Sequence, residues 1–297
     1  GVLEHEATTS GSMTVPSTEP NLMIGRYDLR DGGSPIKRHF DGYLDSFRIT
    51  KAARYTTNFT VPTAQYPTGT ASASVDQHWG NVKLLIQAAG SDTSTSFTDA
   101  SATGRTITTV GNAQVDTAQT ATSGRSILFD GTGDYLTAPN SADFQFGTGD
   151  FTIEAWVRLN AVGQFHEIAN QSTDSYRGWM FDVTSGNKLR LYGFISSWQE
   201  LGISTTSLAA DRWYHCAVTR EGTSFRIFLD GVLEDTTVVS GAFTSEGTVV
   251  LKVGWMLLDS GASRYMNGWI DNLRITKGVA RYTSNFTVPT AQYPTGS

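Results

Sequence analysis

The stretch FGTGDFTIEAWVRL, Phe146 to Leu159, alternates in polarity. Phe151, Ile153, Ala155, Val157 and Leu159 fall on one face of an extended chain, and Thr152, Glu154, Trp156 and Arg158 on the other. A period of two is the signature of a half-buried β-strand. KLRLYGF, Lys188 to Phe194, repeats the pattern. WYHCAVTREGTSFRIFLDG, Trp213 to Gly231, places two β-rich runs around a short Gly-containing turn and reads as a hairpin. Further out, NVKLLIQA (Asn81 to Ala88) is a short apolar run, and RTITTVG and AQVDTAQ read as short exposed strands. SILFDGTGDYLTAP (Ser126 to Pro139) contains two strands around a Gly-rich turn at Asp130 to Asp134, and TVVLKVGW and GWIDNLRIT close the series. Short strands punctuated by turn signals predict an all-β, antiparallel two-sheet sandwich. Parallel α/β is excluded, because no segment could serve as a crossover helix.

The domain plan comes from an internal repeat. GWIDNLRITKGVARYTSNFTVPTAQYPTG (Gly268 to Gly296) reappears as GYLDSFRITKAARYTTNFTVPTAQYPTG (Gly42 to Gly69), one residue shorter after Lys51. Upstream, GVLEHEATTSG at Gly1 matches GVLEDTTVVSG at Gly231, and LMIG at Leu22 matches LKVG at Leu251. Residues 1–70 are therefore expected to be the C-terminal part of a first repeat, 71–78 a linker and 79–297 a complete unit. The inward residues expected in the first piece are Leu22, Ile24, Phe47 and Ile49. They need a covering sheet, supplied by a preceding stretch of the same protein or by a neighbouring chain. The tail after Lys277 is expected to hold one helical turn before Pro289 and then to run extended across the sandwich.

Composition narrows the function. The formal net charge of −6 carries no basic block, which argues against a phosphate-backbone partner. No apolar run is long enough to span a membrane as a helix. The single cysteine, Cys216, cannot form an internal disulfide and reads as a buried structural thiol. Catalytic signatures are missing: no GxSxG, no zinc-spaced His/Cys cluster, and His166-Glu167 without a second His. No strand shows two inward carboxylates at i, i+2; FTIEAWVRL offers Glu154 alone, and FRIFLDGVLED only Asp230 before its turn acids.

The four blocks Ser126–Pro139, Phe146–Leu159, Trp213–Val232 and Gly268–Phe286 together resemble the laminin G-like, concanavalin A-like jelly-roll superfamily. The tail is similar to versions of this module in phage tail and virion proteins and in large bacterial surface proteins. That likeness implies two curved sheets of six or seven strands each, and a role in glycan binding, adhesion or structural decoration, often with bound calcium. It implies an extracellular, cell-surface or virion setting. Partners would be surface glycans or polysaccharide and neighbouring repeats or subunits. The expectation is a non-catalytic carbohydrate-binding or adhesion module. A ligand-free building block of a fibre or shell is the alternative, and a polysaccharide-cleaving enzyme a third reading.

Two residue sets follow. Asp271 shares strand parity with Leu273 and Ile275, and its copy Asp45 with Phe47 and Ile49. A carboxylate on an apolar face must be paired, by calcium or by backbone N–H groups at a bulge. Asp92 and Asp99 sit in neighbouring loops; the family likeness implies Asp99 and Asp271 as calcium ligands, while Gln87 stands where many relatives carry Asp. For a glycan, the aromatic run from Tyr176 to Gly202 is the candidate, since sugars stack their C–H faces on aromatic rings. Tyr176, Arg177, Tyr192, Trp198 and Gln199 are its nominated residues, with Trp198 in the most exposed setting.

Overall fold

The computed structural model describes residues 26–31, 34–39, 76–122, 124–172, 177–244, 248–258 and 260–296. The chain divides into two compact units, Gly1–Ser72 and Ala73–Ser297. In the first, strands β1 (Arg26–Asp31) and β2 (Ser34–His39) form an antiparallel hairpin with Arg26 opposite His39. The expected inward residues Leu22, Ile24, Phe47 and Ile49 lie outside the described residues, as does Asp45.

The second unit is an all-β, antiparallel two-sheet sandwich. One sheet runs β12 (Trp198–Ser207), β11 (Lys188–Phe194), β10 (Trp179–Val183), β9 (His166–Asn170), β16 (Leu251–Val253), β7 (Tyr135–Ala138), β4 (Thr108–Val110). The other runs β15 (Val232–Val238), β14 (Ser224–Leu229), β13 (Trp213–Glu221), β8 (Phe151–Leu159), β19 (Asn267–Lys277), β6 (Ser126–Asp130), β5 (Gln114–Asp116). An eighth strand, β3 (Val82–Ile86), pairs with the second half of β19, whose first half pairs with β6. Strands β17 (Trp255–Leu257) and β18 (Ser263–Tyr265) form a separate hairpin.

The alternation of β8 reads correctly. Phe151, Ile153, Ala155, Val157 and Leu159 are all 0% exposed and pack between the sheets with Phe129, Trp179, Phe181, Leu191 and Ile275. The hairpin β13–β14 turns at Gly222, φ +59°, a conformation that suits glycine. The runs around Asp130–Asp134, by contrast, do not pair with each other. β6 belongs to one sheet and β7 to the other, so this turn is a corner between layers.

The polar face of β8 is not solvent-exposed as a half-buried strand predicts. Thr152 and Glu154 are 0% exposed, because residues 279–296 lie across the outside of this sheet as a strap. The strap holds no helical turn. Tyr282 and Phe286 stack with ring centroids 3.5 Å apart, and both pack edge-on against Phe228 and His215. Thr152 Oγ1 donates to Val279 O and Thr219 Oγ1 to Tyr282 O, each at 2.9 Å. These side-chain bonds stand in for the backbone ladder that a helical turn would have supplied.

Two bulges break strand parity. In β19 the register against β8 shifts between Asp271 and Arg274, with Asn272 at φ +53°. Ile270, Leu273 and Ile275 therefore all point into the core. In β9 the register against β10 shifts so that Ala169 opposes Phe181 while Glu167 opposes Asp182. Each bulge inserts one residue and turns its neighbours to the other face.

Candidate functional site

The outer face of the seven-stranded sheet carries a partly exposed aromatic cluster. On β11, Arg190, Tyr192 and Phe194 share the outward face, since Leu189, Leu191 and Gly193 are buried. Trp198 opens β12 directly opposite Phe194. The Tyr192 and Trp198 rings are parallel, 4° apart in plane and 5.6 Å between centroids, and Phe194 meets Trp198 edge-on at 5.8 Å. The Arg177 guanidinium lies 4.5 Å over Phe194, and that of Arg190 lies 4.8 Å over Tyr192. Gln199 is half-buried and Glu200 exposed beside them. The structure thus brings together Trp198, Tyr192 and Arg177; Gln199 opposes Gly193 and so falls on the other face of β12, while Glu200, opposite Tyr192, shares the outer one. Tyr176 lies outside the described residues.

Arg190 is fixed from below. Its Nε and Nη2 donate to the two oxygens of Asp182 at 3.0 and 2.6 Å, a bidentate pair in which Asp182 is 0% exposed. A stiff guanidinium holds Tyr192 in place at little further entropy cost. Along the same face lies a cavity of about 390 Å³, lined by Gln164, Phe165, Ser185, Ser263, Arg264 and Tyr265. Arg264 lies 3.7 Å over Phe165, and its nearest carboxylate is Asp182 at 3.9 Å. A cavity of about 440 Å³ at the end of the strap offers less, because its guanidiniums, Arg274 and Arg281, are committed to Asp76 and Glu154.

The nominated metal ligands are placed differently. The bulge turns Asp271 opposite Trp156, on the outer face, so it does not share a face with Leu273 and Ile275 as parity predicts. Its Oδ2 accepts Thr122 N at 3.2 Å and Thr122 Oγ1 at 3.0 Å, which pins the loop before β6 to the bulge. Asp99 accepts the backbone N–H groups of Leu85, Ser101 and Arg105 at 2.9–3.0 Å, with the Arg105 guanidinium 3.6 Å away. Asp92 is exposed and accepts Thr117 N at 3.0 Å. Gln87 donates to Asn272 Oδ1 and to Tyr293 O, both at 2.9 Å. Among the described residues no three His, Cys, Asp or Glu side chains converge. Calcium needs six to eight oxygens, and here the acids serve backbone donors and a guanidinium instead. The donor set does not fit that ion. Chelator-stripped protein is accordingly expected to melt at the same temperature with and without millimolar calcium; a reproducible rise would reinstate the site.

Sequence reading missed a pair of buried carboxyls. Glu167 and Asp182 face each other across β9 and β10, both 0% exposed. Burial first, and then the Asp182 carboxylate, push Glu167 well above the usual carboxylate range. Acids on two different strands leave no spacing signal within either. The only hint was an acid inside each of two apolar runs, HEIAN and WMFDV.

Residues 130–281 match the family described as the concanavalin A-like lectin/glucanases superfamily, a laminin G-type domain. No curated protein matches the chain. Among solved structures, the binding domain of Paraclostridial Mosquitocidal Protein 1 is similar, with a TM-score of 0.53 at 14% identity over 69% of this chain and 51% of that one. The receptor-binding domain of the botulinum neurotoxin C/D mosaic serotype follows at TM-score 0.52 and 14% identity, covering 68% and 49%. A structure of botulinum neurotoxin type C gives 0.51 at 16% identity over 68% and 49%. The chain spans about half the length of these structures, and at such identities the likeness shows the fold.

Proposed function

We propose that this chain, which belongs to the concanavalin A-like lectin/glucanases superfamily, is a non-catalytic glycan-binding or adhesion module of an extracellular or virion surface protein. The observation that carries this reading is the parallel Tyr192–Trp198 stack, half-buried and flanked by Arg177 and Arg190, with Glu200 opposite Tyr192. An aromatic platform with charged neighbours beside it suits a sugar: the ring takes the C–H face, and the guanidinium and carboxylate groups take hydroxyls. Similar folds serve recognition elsewhere, as in botulinum neurotoxin type C, which depends on interaction with two ganglioside molecules to enter cells.

Burial supports the non-catalytic reading. Glu154, Glu167 and Asp182 are each 0% exposed, so none is open to a glycosidic bond. The repeat reading, in which residues 1–70 are the C-terminal part of a first copy, is supported at one place. In the sequence match, Arg26 follows Gly25 as Trp255 follows Gly254, and His39 precedes Gly42 as Tyr265 precedes Gly268. Arg26 pairs with His39 and Trp255 with Tyr265, so the two hairpins share a base register.

Trp198→Ala should weaken binding on a glycan array, or retention in a polysaccharide-containing native gel, by about tenfold or more. Its melting temperature should stay within a few degrees of wild type, since Trp198 is outside the core. Silence of the wild type on every glycan would instead favour the architectural role.

A further inference from the structure

Strands β9 and β16 hold a group of side chains that glycan binding does not use. Lys252 and Asn170 are direct cross-strand partners. Both point to the outer face, because Leu251 and Val253 on either side of Lys252 enter the core. Opposed residues of an antiparallel pair have their Cβ atoms about 4.5–5.5 Å apart, within the span of a lysine's four-carbon arm. The bulge in β9 places Glu167 on this face too. All three are sealed: Asn170 and Glu167 are 0% exposed and Lys252 is 5% exposed.

The cover is the β17–β18 hairpin. The chain leaves β16 through Gly254, at φ +86°, where a Cβ would stand 2.7 Å from Phe129. The hairpin then folds back over β9. Trp255 O accepts Asn170 Nδ2 at 2.8 Å, and the Trp255 ring lies 5.6 Å from Lys252 Nζ. Lys252 Nζ itself donates to Ser172 O at 2.8 Å. Asn170 Oδ1 and both Glu167 oxygens have no hydrogen-bond partner. Three orphaned acceptors under one lid call for an explanation, because each costs about 1–3 kcal/mol.

We propose that Lys252 and Asn170 are the two halves of an intramolecular isopeptide bond, formed with Glu167 as the proton-transfer group. The reaction needs a neutral amine, a polarised carboxamide and a buried acid, and each is present. Burial pulls the Lys252 amine down to about 8, so a useful fraction is unprotonated near neutral pH. Burial and the Asp182 carboxylate keep the proton on Glu167, while Asp182 is spoken for by Arg190. The two carboxyls are thus driven apart in role by their surroundings. The Asn170 side chain borders the Glu167 carboxyl, and the charge of that carboxyl reaches Lys252.

The lone pair of Lys252 Nζ attacks Asn170 Cγ as the Glu167 carboxyl gives its proton to Oδ1. The resulting carboxylate takes a proton from the attacking nitrogen and passes it to Nδ2. The Cγ–Nδ2 bond breaks and ammonia leaves, while the Oδ1 proton returns to Glu167 as the new amide forms. One amine and one carboxamide become one amide and one ammonia, and no oxidant or cofactor takes part. Exclusion of water by the hairpin protects the intermediate from hydrolysis.

The intact mass of the folded full-length chain tests the idea. The expected mass is one ammonia below that of the sequence. Digestion should yield a branched peptide joining Lys252 to Asn170, with no tryptic cleavage after Lys252. Lys252→Arg and Glu167→Gln should each restore the unmodified sequence mass. The full sequence mass in folded wild type would overturn the proposal. So would ammonia loss confined to Asn170 as a cyclic imide with Lys252 free, or a bond that persists in Glu167→Gln. If neither variant folds, the wild-type mass and the peptide map still decide.

Discussion

Glu154→Ala is expected to destabilise the second unit by about 3–5 kcal/mol, measured as a lowered urea midpoint at unchanged slope. The carboxylate is 0% exposed and sits at the centre of a network. Its Oε1 accepts Arg274 Nε at 2.9 Å, and its Oε2 accepts Tyr282 and Tyr293 hydroxyls at 2.8 and 3.1 Å. Alanine would leave Arg274, 4% exposed, facing Asp76 alone, strip the Tyr282 phenol of its carboxylate and leave the Tyr293 phenol only His215. Burial by itself would raise the Glu154 pKa; Arg274, then His215 and Arg281, override it and hold the carboxyl well below its ordinary value of 4.5. A group depressed in the folded state contributes fully above its unfolded pKa. The wild type should therefore keep this contribution at neutral pH, begin to lose it as pH falls past 4.5, and lose the rest as the folded carboxyl takes its proton. Glu154→Ala should flatten that acid limb; a variant as stable as wild type, with the limb intact, would refute the assignment.

Cutting the chain after Gly278 should be at least as damaging. The strap places Tyr282, Phe286 and Tyr293 over Phe228, His215 and Glu154. Fully burying an aromatic side chain is worth about 1.5–3 kcal/mol; with Tyr293 buried and Tyr282 and Phe286 half-buried, losing the three costs about 3 kcal/mol or more before the network around Glu154 is counted. The shortened protein is expected to bind a hydrophobic dye and to aggregate well below the wild-type melting temperature. An unchanged melting curve would mean that the strap is ornament. Phe286→Ala separates lost packing from lost polar pairing, since it spares both the Tyr282 hydroxyl on Glu154 and the Arg281 bonds to Asp76 at 2.8–3.0 Å.

The layers of the fold were legible because the core obeys a period of two. β8 and β11 could be read by alternation and the β13–β14 hairpin by its turn, and the same parity explains why the inward side chains of β8 and β11 meet. The expected face of Asp271 was wrong where parity failed. Nothing in IDNLRIT announces that Asn272 adopts a positive φ, yet that one residue moves Asp271 from the expected inner face to the outer one. The bulge in β9 hid Glu167 in the same way. The aromatic cluster was recoverable because Tyr192 and Trp198 lie six positions apart across a short turn, so local pairing alone brings them together. The strap was half legible: its path across the sandwich was expected, but its burial of Thr152 and Glu154 depends on long-range contacts that no local pattern encodes.

Arg274 Nη1 bonds Asp76 at 3.0 Å while its guanidinium lies 3.7 Å over Tyr293, so the residue that leads into the sandwich and the residue near the end of the strap meet on one side chain. Tension applied along the polypeptide would therefore enter and leave through neighbouring anchor points. It would load that small clasp before any strand, and peel the strap one contact at a time instead of shearing the sheets. Such a unit yields softly at its fastening while its aromatic face keeps its shape.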